Sequence, residues 1–556
     1  MIILGISGGL GHDAAAALVI DGVLVAMVEE ERFTRVKRAF NQSPIHAILY
    51  CLQEANISLG DVDIIAVSWE PALDPDFVNL QRRIEDIQRS DTLHSLKKFP
   101  LIIPINHHIS HAASSFYASG FDEAAIIVMD GQGEIASTTI AHGKRTSIRI
   151  LQQFDVSQSL GYFYSAVTYY CGLGHDSAGK TMGLAPYGQP LYDFSNIHLT
   201  NDGYHIDIRG IPDKPVGLWY EGIRQQWFEW LITNFGPQNN ITSKLNTVSG
   251  QIKKVNQIDN HYKNIAASAQ HVLEKVILHL IQVATHEVGC RNVVLSGGVA
   301  LNCSANGVIN RSGSVNGFYV FPAAHDAGGA LGAALEVAAR HGEPRCPAIH
   351  HAYWGPAFDD SVISTELKRL NLTATEYDDI GVEVARRIVE ENAKVGWFQG
   401  RMEVGPRALG HRSILANPML LKNLELINNV KGRELWRPLA PSILRDDAEQ
   451  VFENFADSPF MLQAFLVHHN AQSLIPAVTH VDGSSRPQVV NEETSYEYRD
   501  LLLAMRRDTG LGAVINTSFN NAHEPIVCTP LDAIRTFYST PLDILVLGHH
   551  LLSKKR

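Results

Sequence analysis

Ile2-Ile3-Leu4-Gly5-Ile6-Ser7-Gly8-Gly9-Leu10-Gly11-His12-Asp13 runs directly into the apolar stretch 14–20, then Asp21-Gly22, then a third apolar stretch, 23–28. Short β-branched runs separated by a glycine loop and an Asp-Gly turn read as strand, loop, strand, tight turn, strand. The design returns near residue 125. Residues 125–129 form an apolar strand, Asp130-Gly131-Gln132-Gly133-Glu134 a polar loop, 135–141 a further strand, and His142-Gly143 the turn. Two units of one design predict a duplicated α/β domain. Two ordinary hairpins would give the same local pattern.

The chain has 556 residues, 45% hydrophobic and 19% charged, with a net charge of −12. That length predicts about three or four structural units. The composition is that of a globular enzyme and excludes a coiled coil, a fibre and a mainly disordered chain. A net-acidic chain is a poor general binder of nucleic acid or of anionic membrane. The start has no basic segment before an apolar one, so no signal peptide is expected, and no apolar run is long enough to predict a membrane span. The six cysteines contain no CxxC pair and read as single thiols of a reducing cytoplasm.

Residues 190–260, rich in Pro, Gly, Asn and aromatics such as Trp219 and Trp227, read as an insertion. It forms either an acceptor pocket or a satellite core. A long amphipathic helix is predicted from Ile265 to Val283, where apolar residues recur at helical spacing. Next come strand 293–295 and the turn Ser296-Gly297-Gly298-Val299-Ala300-Leu301-Asn302, which would aim backbone N–H groups at an anion or a nucleotide. The stretch 341–353 breaks all periodicity and reads as a linker. A helix over 382–392 and a strand over 394–398 then open a second domain.

His107 and His111 stand four apart, on one face of a predicted helix, a spacing that suits two imidazoles on a divalent metal. A histidine-rich helix start that binds nothing looks the same. Asp130 closes a buried strand, and Asp326 stands between strand 318–321 and a small-residue helix. Two His and two Asp leave coordination positions open, as a catalytic metal requires, and all four fall where loops converge. His12, in the opening loop, has the near-neutral pKa of a general base; capping a loop is its plain alternative. The segment from Gly174 to Thr181 fits GxxxxGK[ST], but residues 160–173 read as a helix where a P-loop demands a strand. The match is taken as fortuitous, leaving Lys180 as a candidate phosphate contact.

Between residues 394 and 445 there are nine Lys or Arg and three Asp or Glu. Cations fixed among Gly and Pro, as in Gly400-Arg401 through Gly405-Pro406-Arg407 to Arg412, then Lys431, Arg433 and Arg437-Pro438, read as a pocket for a small phosphorylated anion. The strand end Asn516-Thr517-Ser518-Phe519-Asn520 suits completing it, or capping a turn.

In order along the chain, GHDAA (11–15), HxxxHA (107–112), MDGxGE (129–134), SGGVALN (296–302), GRMEVGPRALGHRS (400–413), WRPLAPS (436–442) and NTSFN (516–520) resemble the antibiotic-type O-carbamoyltransferases, the group of the nodulation, nebramycin and cephalosporin-type enzymes. The resemblance covers essentially the whole chain and implies two modules. Residues 1–345 would be a duplicated actin-like ATPase fold similar to the tRNA threonylcarbamoyl transferase, with Fe2+ or another divalent transition metal. Residues 355–556 would be an α/β domain similar to the threonylcarbamoyl-adenylate synthase (YrdC-like). The implied C-terminal reaction turns carbamoyl phosphate and ATP, with Mg2+, into carbamoyl adenylate. The implied N-terminal reaction passes the carbamoyl group to a hydroxyl of a small natural product or sugar, as in antibiotic biosynthesis.

Carried over by residue, His107, His111, Asp130 and Asp326 would hold the metal, and His12 would deprotonate the acceptor. Gly131, Gly133, Lys180, Gly297, Gly298 and Asn302 would hold the adenylate. Arg401, Arg407, Arg412, Lys431, Arg433, Arg437, Asn516, Ser518 and Asn520 would hold carbamoyl phosphate and ATP. The runner-up is a transferase that makes threonylcarbamoyladenosine in tRNA. A hydrogenase-maturation carbamoyltransferase would carry CxxC zinc motifs that this chain lacks, and a non-enzymatic actin-like scaffold would explain neither the metal set nor the basic pocket.

Overall fold

Strands β1 (Ile2–Ile6), β2 (Ala15–Ile20) and β3 (Val23–Glu29) form an antiparallel meander in the computed structural model, and β4 (Ile64–Val67) and β5 (Leu101–Pro104) extend it in parallel on the other side of β1. The sheet order is β3-β2-β1-β4-β5. The structure describes residues 1–8, 11–70, 86–87, 99–174, 177–210, 219–238, 258–492 and 494–554. Gly9 and Leu10 of the opening loop, and His175 and Asp176 of the P-loop-like match, lie outside them.

The second half repeats the plan. Strands β6 (Glu123–Met129), β7 (Ala136–Lys144) and β8 (Ser147–Asp155) form a meander; β9 (Ile197–Thr200) and β10 (Gly203–Ile206) form a separate hairpin; β11 (Asn292–Ser296) and β12 (Gly317–Val320) lie parallel to β6. The order β12-β11-β6-β7-β8 sets β6 where the first sheet has β1. This is the duplicated α/β domain of actin-like type. The duplication has one local difference from expectation. Strand β7 runs through His142 and Gly143, and the turn falls at Arg145, whose φ is +54°. Gly143 serves packing: a Cβ there would lie 2.7 Å from the Phe116 ring.

Small residues bring the two halves together. Helix Gly328–Arg340 packs on helix His107–Phe116 and on β1 so closely that a Cβ on Gly332 would lie 1.7 Å from the Ser110 oxygen, and one on Gly5 1.8 Å from the Ala330 oxygen. That approach sets Asp326, just ahead of one helix, beside the histidines of the other. The long helix Asn260–Val288 is capped by Asp259, which accepts from the His261 amide, and ends at Gly289 in the left-handed region. Within the described part of the insertion, helix Tyr220–Phe235 buries Trp227 against Phe163, and Trp230 stacks on Phe194. For Trp227 this is a satellite core, not the wall of an acceptor pocket. Residues 211–218 and 239–257 lie outside the described residues.

Two units emerge from the contacts. One comprises Met1–Thr34, Arg38–Gly250 and Ile258–Ile349; the other comprises Arg35–Lys37, Gln251–Gln257 and His350–Arg556. In the second unit, β13 (Thr375–Glu376), β14 (Val395–Phe398), β15 (Arg412–Ala416), β16 (Ala440–Leu444), β19 (Gln488–Val490), β20 (Ala513–Ser518), β21 (Ile544–Leu547) and β22 (His550–Ser553) make a mixed sheet. Its order is β13-β22-β21-β14-β15-β20-β16-β19, and β17 (Phe465–Leu466) with β18 (Ser484–Ser485) forms a small pair apart. Neighbouring residues feed opposite cores: Leu415, Val514 and Val546 join one, Ile414, Ile515 and Leu545 the other. Both faces are therefore covered, which explains why these strands read as unbroken apolar runs. Among the described residues, no helix is long and apolar enough to cross a membrane.

Candidate active site: a His–Asp quartet and a buried cationic cluster

Four of the predicted residues converge in the first unit. One ligand atom from each of His107, His111, Asp130 and Asp326 lies within 4.8 Å of all the others. His107 Nε2 is 3.1 Å from His111 Nε2 and 3.3 Å from Asp130 Oδ2; His111 Nε2 is 3.2 Å from the same oxygen. Asp326 Oδ1 stands 3.8 and 3.7 Å from the two Nε2 atoms. All four residues are buried.

His107 and Asp130 are oriented from behind. His107 Nδ1 is 3.2 Å from the Ser68 carbonyl oxygen, which assigns the proton to Nδ1 and turns the Nε2 lone pair into the quartet. Asp130 Oδ1 accepts from the Gly131 and Gly298 amides at 2.8 and 3.1 Å, leaving Oδ2 for the histidines. Burial would lower the His111 pKa, but its bonds to Asp130 and Asp326 outweigh that and hold it at about 9. Burial would likewise raise Asp130, yet His107 and His111 keep its carboxyl well below the usual range. The carboxylates thus hold positive charge in the quartet. Two imidazoles and two carboxylates, His107 and Asp130 among them already bonded from behind, fit a divalent transition metal. His108 belongs elsewhere: it bonds Thr139 Oγ1 at 2.8 Å, and burial, then His107 and His111, push it down to about 3.

His12 adjoins the quartet. Its Nδ1 is 3.0 Å from Asp13 Oδ2 and 3.5 Å from Asp326 Oδ2, and Arg38 Nη2 reaches both Asp13 Oδ2 (3.0 Å) and His12 Nδ1 (3.1 Å). Asp13 so holds the ring by Nδ1. The loop doing this is strained. Asp13, Arg38, Ala39 and Asn41 all have positive φ, and the Asp13 and Asn41 amides bond the Arg38 and Gly11 carbonyls at 2.7 Å.

The glycine amides expected to face a nucleotide are mostly taken. Gly131 and Gly298 donate to Asp130, and Gly133 donates to the Ala136 carbonyl at 2.7 Å. Asn302 caps helix Cys303–Arg311 and exchanges two bonds with Gln270. Gly131 and Gly298 thus fix Asp130 in the quartet. Gly297, φ +86°, makes the turn itself: a Cβ there would lie 2.2 Å from the Met129 oxygen. Lys180 lies within helix Ala178–Leu184, preceded by helix Leu160–Tyr170, as the sequence required for a fortuitous P-loop match.

In the second unit, burial comes first among the causes that hold the Arg433 guanidinium well below its ordinary pKa, followed by Arg437, with Arg486 and Arg407 adding to it and Glu434 alone opposing. Lys431 is depressed by burial, then by Arg433, Lys37 and Arg437. Arg407, Arg433, Arg437 and Arg486 therefore form a cationic cluster, in which Arg433 Nε bonds Asn428 Oδ1 at 2.6 Å and Arg437 lies 3.9 Å from Glu434. Other predicted anion ligands are structural. Arg412 is fully buried, its guanidinium bonded to the carbonyls of Gln399, Gly400, His411 and Pro356 and stacked 3.7 Å from the Phe398 ring centroid. Lys431 Nζ meets four oxygens of Ser518 and Asn520, so it ties the end of β20 rather than a phosphate. Asn516 directs its amide to Ala408, Ser442 and Gln488 within the sheet. Arg401 donates to the Trp354 carbonyl at 3.0 Å.

Sequence reasoning left Asp13, Arg38, Ser68, Glu134 and Arg486 without roles. Asp13 and Glu134 stood inside quoted motifs. Ser68, Arg38 and Arg486 carry no local signal and meet the site only through the fold.

Comparison with known proteins gives one answer over the whole chain. The Carbamoyltransferase N-terminus family matches residues 2–79 and 80–335, and the Carbamoyltransferase C-terminus family residues 385–554. Nodulation protein NolNO of Sinorhizobium fredii is 36% identical, over 100% of this chain and 83% of that protein. Nodulation protein NolO of Bradyrhizobium diazoefficiens is 38% identical, over 81% of this chain and 79% of that one. An uncharacterized Synechocystis protein is 38% identical, over 99% of this chain and 96% of its own length. With its two units, its His–Asp quartet and its cationic cluster, the chain belongs to the carbamoyltransferase family and is an enzyme of that class.

Proposed function

We propose that the enzyme makes carbamoyl adenylate in its second unit and transfers the carbamoyl group to a hydroxyl of a small molecule in its first. The observation that carries this reading is the juxtaposition of the quartet with His12 through Asp326. His107, His111, Asp130 and Asp326 would hold a divalent transition metal, Fe2+ among those the donor set accommodates. When bound, such a metal supplies Lewis-acid polarisation of a carbonyl or phosphoryl oxygen.

His12, held at Nδ1 by Asp13, presents Nε2 to take the acceptor hydroxyl proton. The acceptor oxygen then bonds the carbamoyl carbon as the bond to AMP breaks. In the second unit, Arg407, Arg433, Arg437 and Arg486 bind carbamoyl phosphate and ATP, the latter with Mg2+. Carbamoyl phosphate, ATP and one water give carbamoyl adenylate, phosphate and pyrophosphate. The family match and the acidic chain disfavour the alternative of tRNA modification.

Mass spectrometry of the protein with ATP, Mg2+ and carbamoyl phosphate, without acceptor, tests the first step. Carbamoyl adenylate with pyrophosphate release, lost in Arg407→Ala, is the expected result. No adenylate from folded, metal-loaded protein overturns the two-step reading.

A further inference from the structure

Glu134, the last residue of the loop that begins with Asp130, is buried, and each of its carboxylate oxygens is engaged. Oε1 accepts from the Glu70 amide at 2.7 Å and from the His107 amide at 2.8 Å; Oε2 accepts from Asn106 Nδ2 at 2.8 Å. The three donors come from two separate places. Glu70 follows β4; Asn106 and His107 open the helix that carries both histidines. Asn106 is itself committed, since its Oδ1 caps that helix at Ile109 at 3.0 Å. One carboxylate therefore ties the start of the histidine helix, from the first half of the duplicated domain, to the loop bearing Asp130, from the second.

We infer that Glu134 is a positioning residue for the metal quartet: it fixes the two histidines against Asp130 without being a ligand. The inference rests on the metal reading of the quartet given above. Three features favour a carboxylate here. Its two oxygens accept all three donors at once, which neither Ala nor a single hydroxyl can do. Its charge faces the N-terminus of helix His107–Phe116, where a negative group is favoured. It also acts on the His107 backbone while Ser68 acts on the His107 ring, so helix start and imidazole are held independently. Residues that orient metal ligands in this way typically change metal affinity about 10–100-fold when removed.

The test uses the full-length apoprotein titrated with Co2+ and with Zn2+, by calorimetry and by the Co2+ visible absorption band. Wild type is expected to bind one equivalent, and His111→Ala to lose it. Glu134→Ala should weaken Kd by about 10–100-fold and alter the Co2+ band. Glu134→Gln should recover most of the affinity, because its amide oxygen still accepts the Glu70 and His107 amides. A wild-type Kd and band in Glu134→Ala, beside a dead His111→Ala, overturns the positioning role and leaves the metal reading standing. Absence of binding in wild type overturns the metal reading and this inference with it. Where Glu134→Ala unfolds, Asn106→Ala removes the Oε2 partner instead, and an unchanged Kd there overturns the inference.

Discussion

In the first unit, two carboxylates and two imidazoles meet, and His107 is braced by a carbonyl and Asp130 by two backbone amides. In the second, Arg407, Arg437 and Arg486 gather around Arg433, with Glu434 opposing, and burial holds Arg433 and Arg437 below their ordinary pKa. The first cluster is electrostatically settled before any ligand arrives. The second gathers like charge that a bound anion would relieve. The contrast bears on the proposed division of labour: a braced geometry would serve transfer, and a cluster of cations would serve the capture of phosphates.

The most damaging way to probe the contrast is to strip the settled site. His111→Ala removes one donor and leaves Asp130 and Asp326 facing each other with less positive charge between them. Transfer to the acceptor should fall by about 10³-fold, the order expected when several kcal/mol of Lewis-acid stabilisation goes. Adenylate formation, measured as pyrophosphate release, should stay near wild type. Equal loss of both steps would mean that the units do not divide the labour.

Arg433→Ala probes the other side. One charge-assisted contact, about 1.5–3 kcal/mol, should raise the KM for carbamoyl phosphate by about 10–100-fold and leave the metal content unchanged. Removing one of several repelling cations should also blunt the rise in Tm that phosphate gives wild type. A variant with wild-type KM would place the anion elsewhere.

The same contrast explains what the sequence could and could not disclose. His107 and His111 were legible from their four-residue spacing on one helix, and Asp130 and Asp326 from their places after a strand and before a helix, which the small residues around Gly332 bring together. The duplicated sheet was legible through its repeated strand–glycine loop–strand pattern. Within the basic window, charge alone did not separate the arginines. Arg412 differs from Arg407 only in falling on β15, where it turns inward and is used up by four carbonyls. Arg486 lies outside the window and arrives through the pairing of β19 with β16 nearby. Likewise Gly131, Gly133 and Gly298 read as phosphate donors because a pattern of glycines does not say which oxygen their amides will meet.

The mildest probe uses His411, which separates charge that the second unit excludes from charge that it stores. The ring is buried, stacked 3.8 Å from the Tyr353 centroid, with Nδ1 bonded to the Arg401 carbonyl at 2.5 Å. Burial pushes its pKa down to about 3; the Arg401 bond opposes this, and Arg412 adds to the depression. The folded state thus keeps His411 neutral, while the unfolded chain takes up a proton below about 6.5. Stability from this residue is whole above pH 6.5 and is lost as pH falls towards 3, because the unfolded state binds more protons in that window. By pH 5 the loss is about 2 kcal/mol. Urea unfolding followed from pH 7 to pH 5 should show this slope in wild type and a flatter one in His411→Asn. An identical slope in both would assign the acid sensitivity to other groups and remove His411 as the neutral spacer beside Arg401 and Arg412.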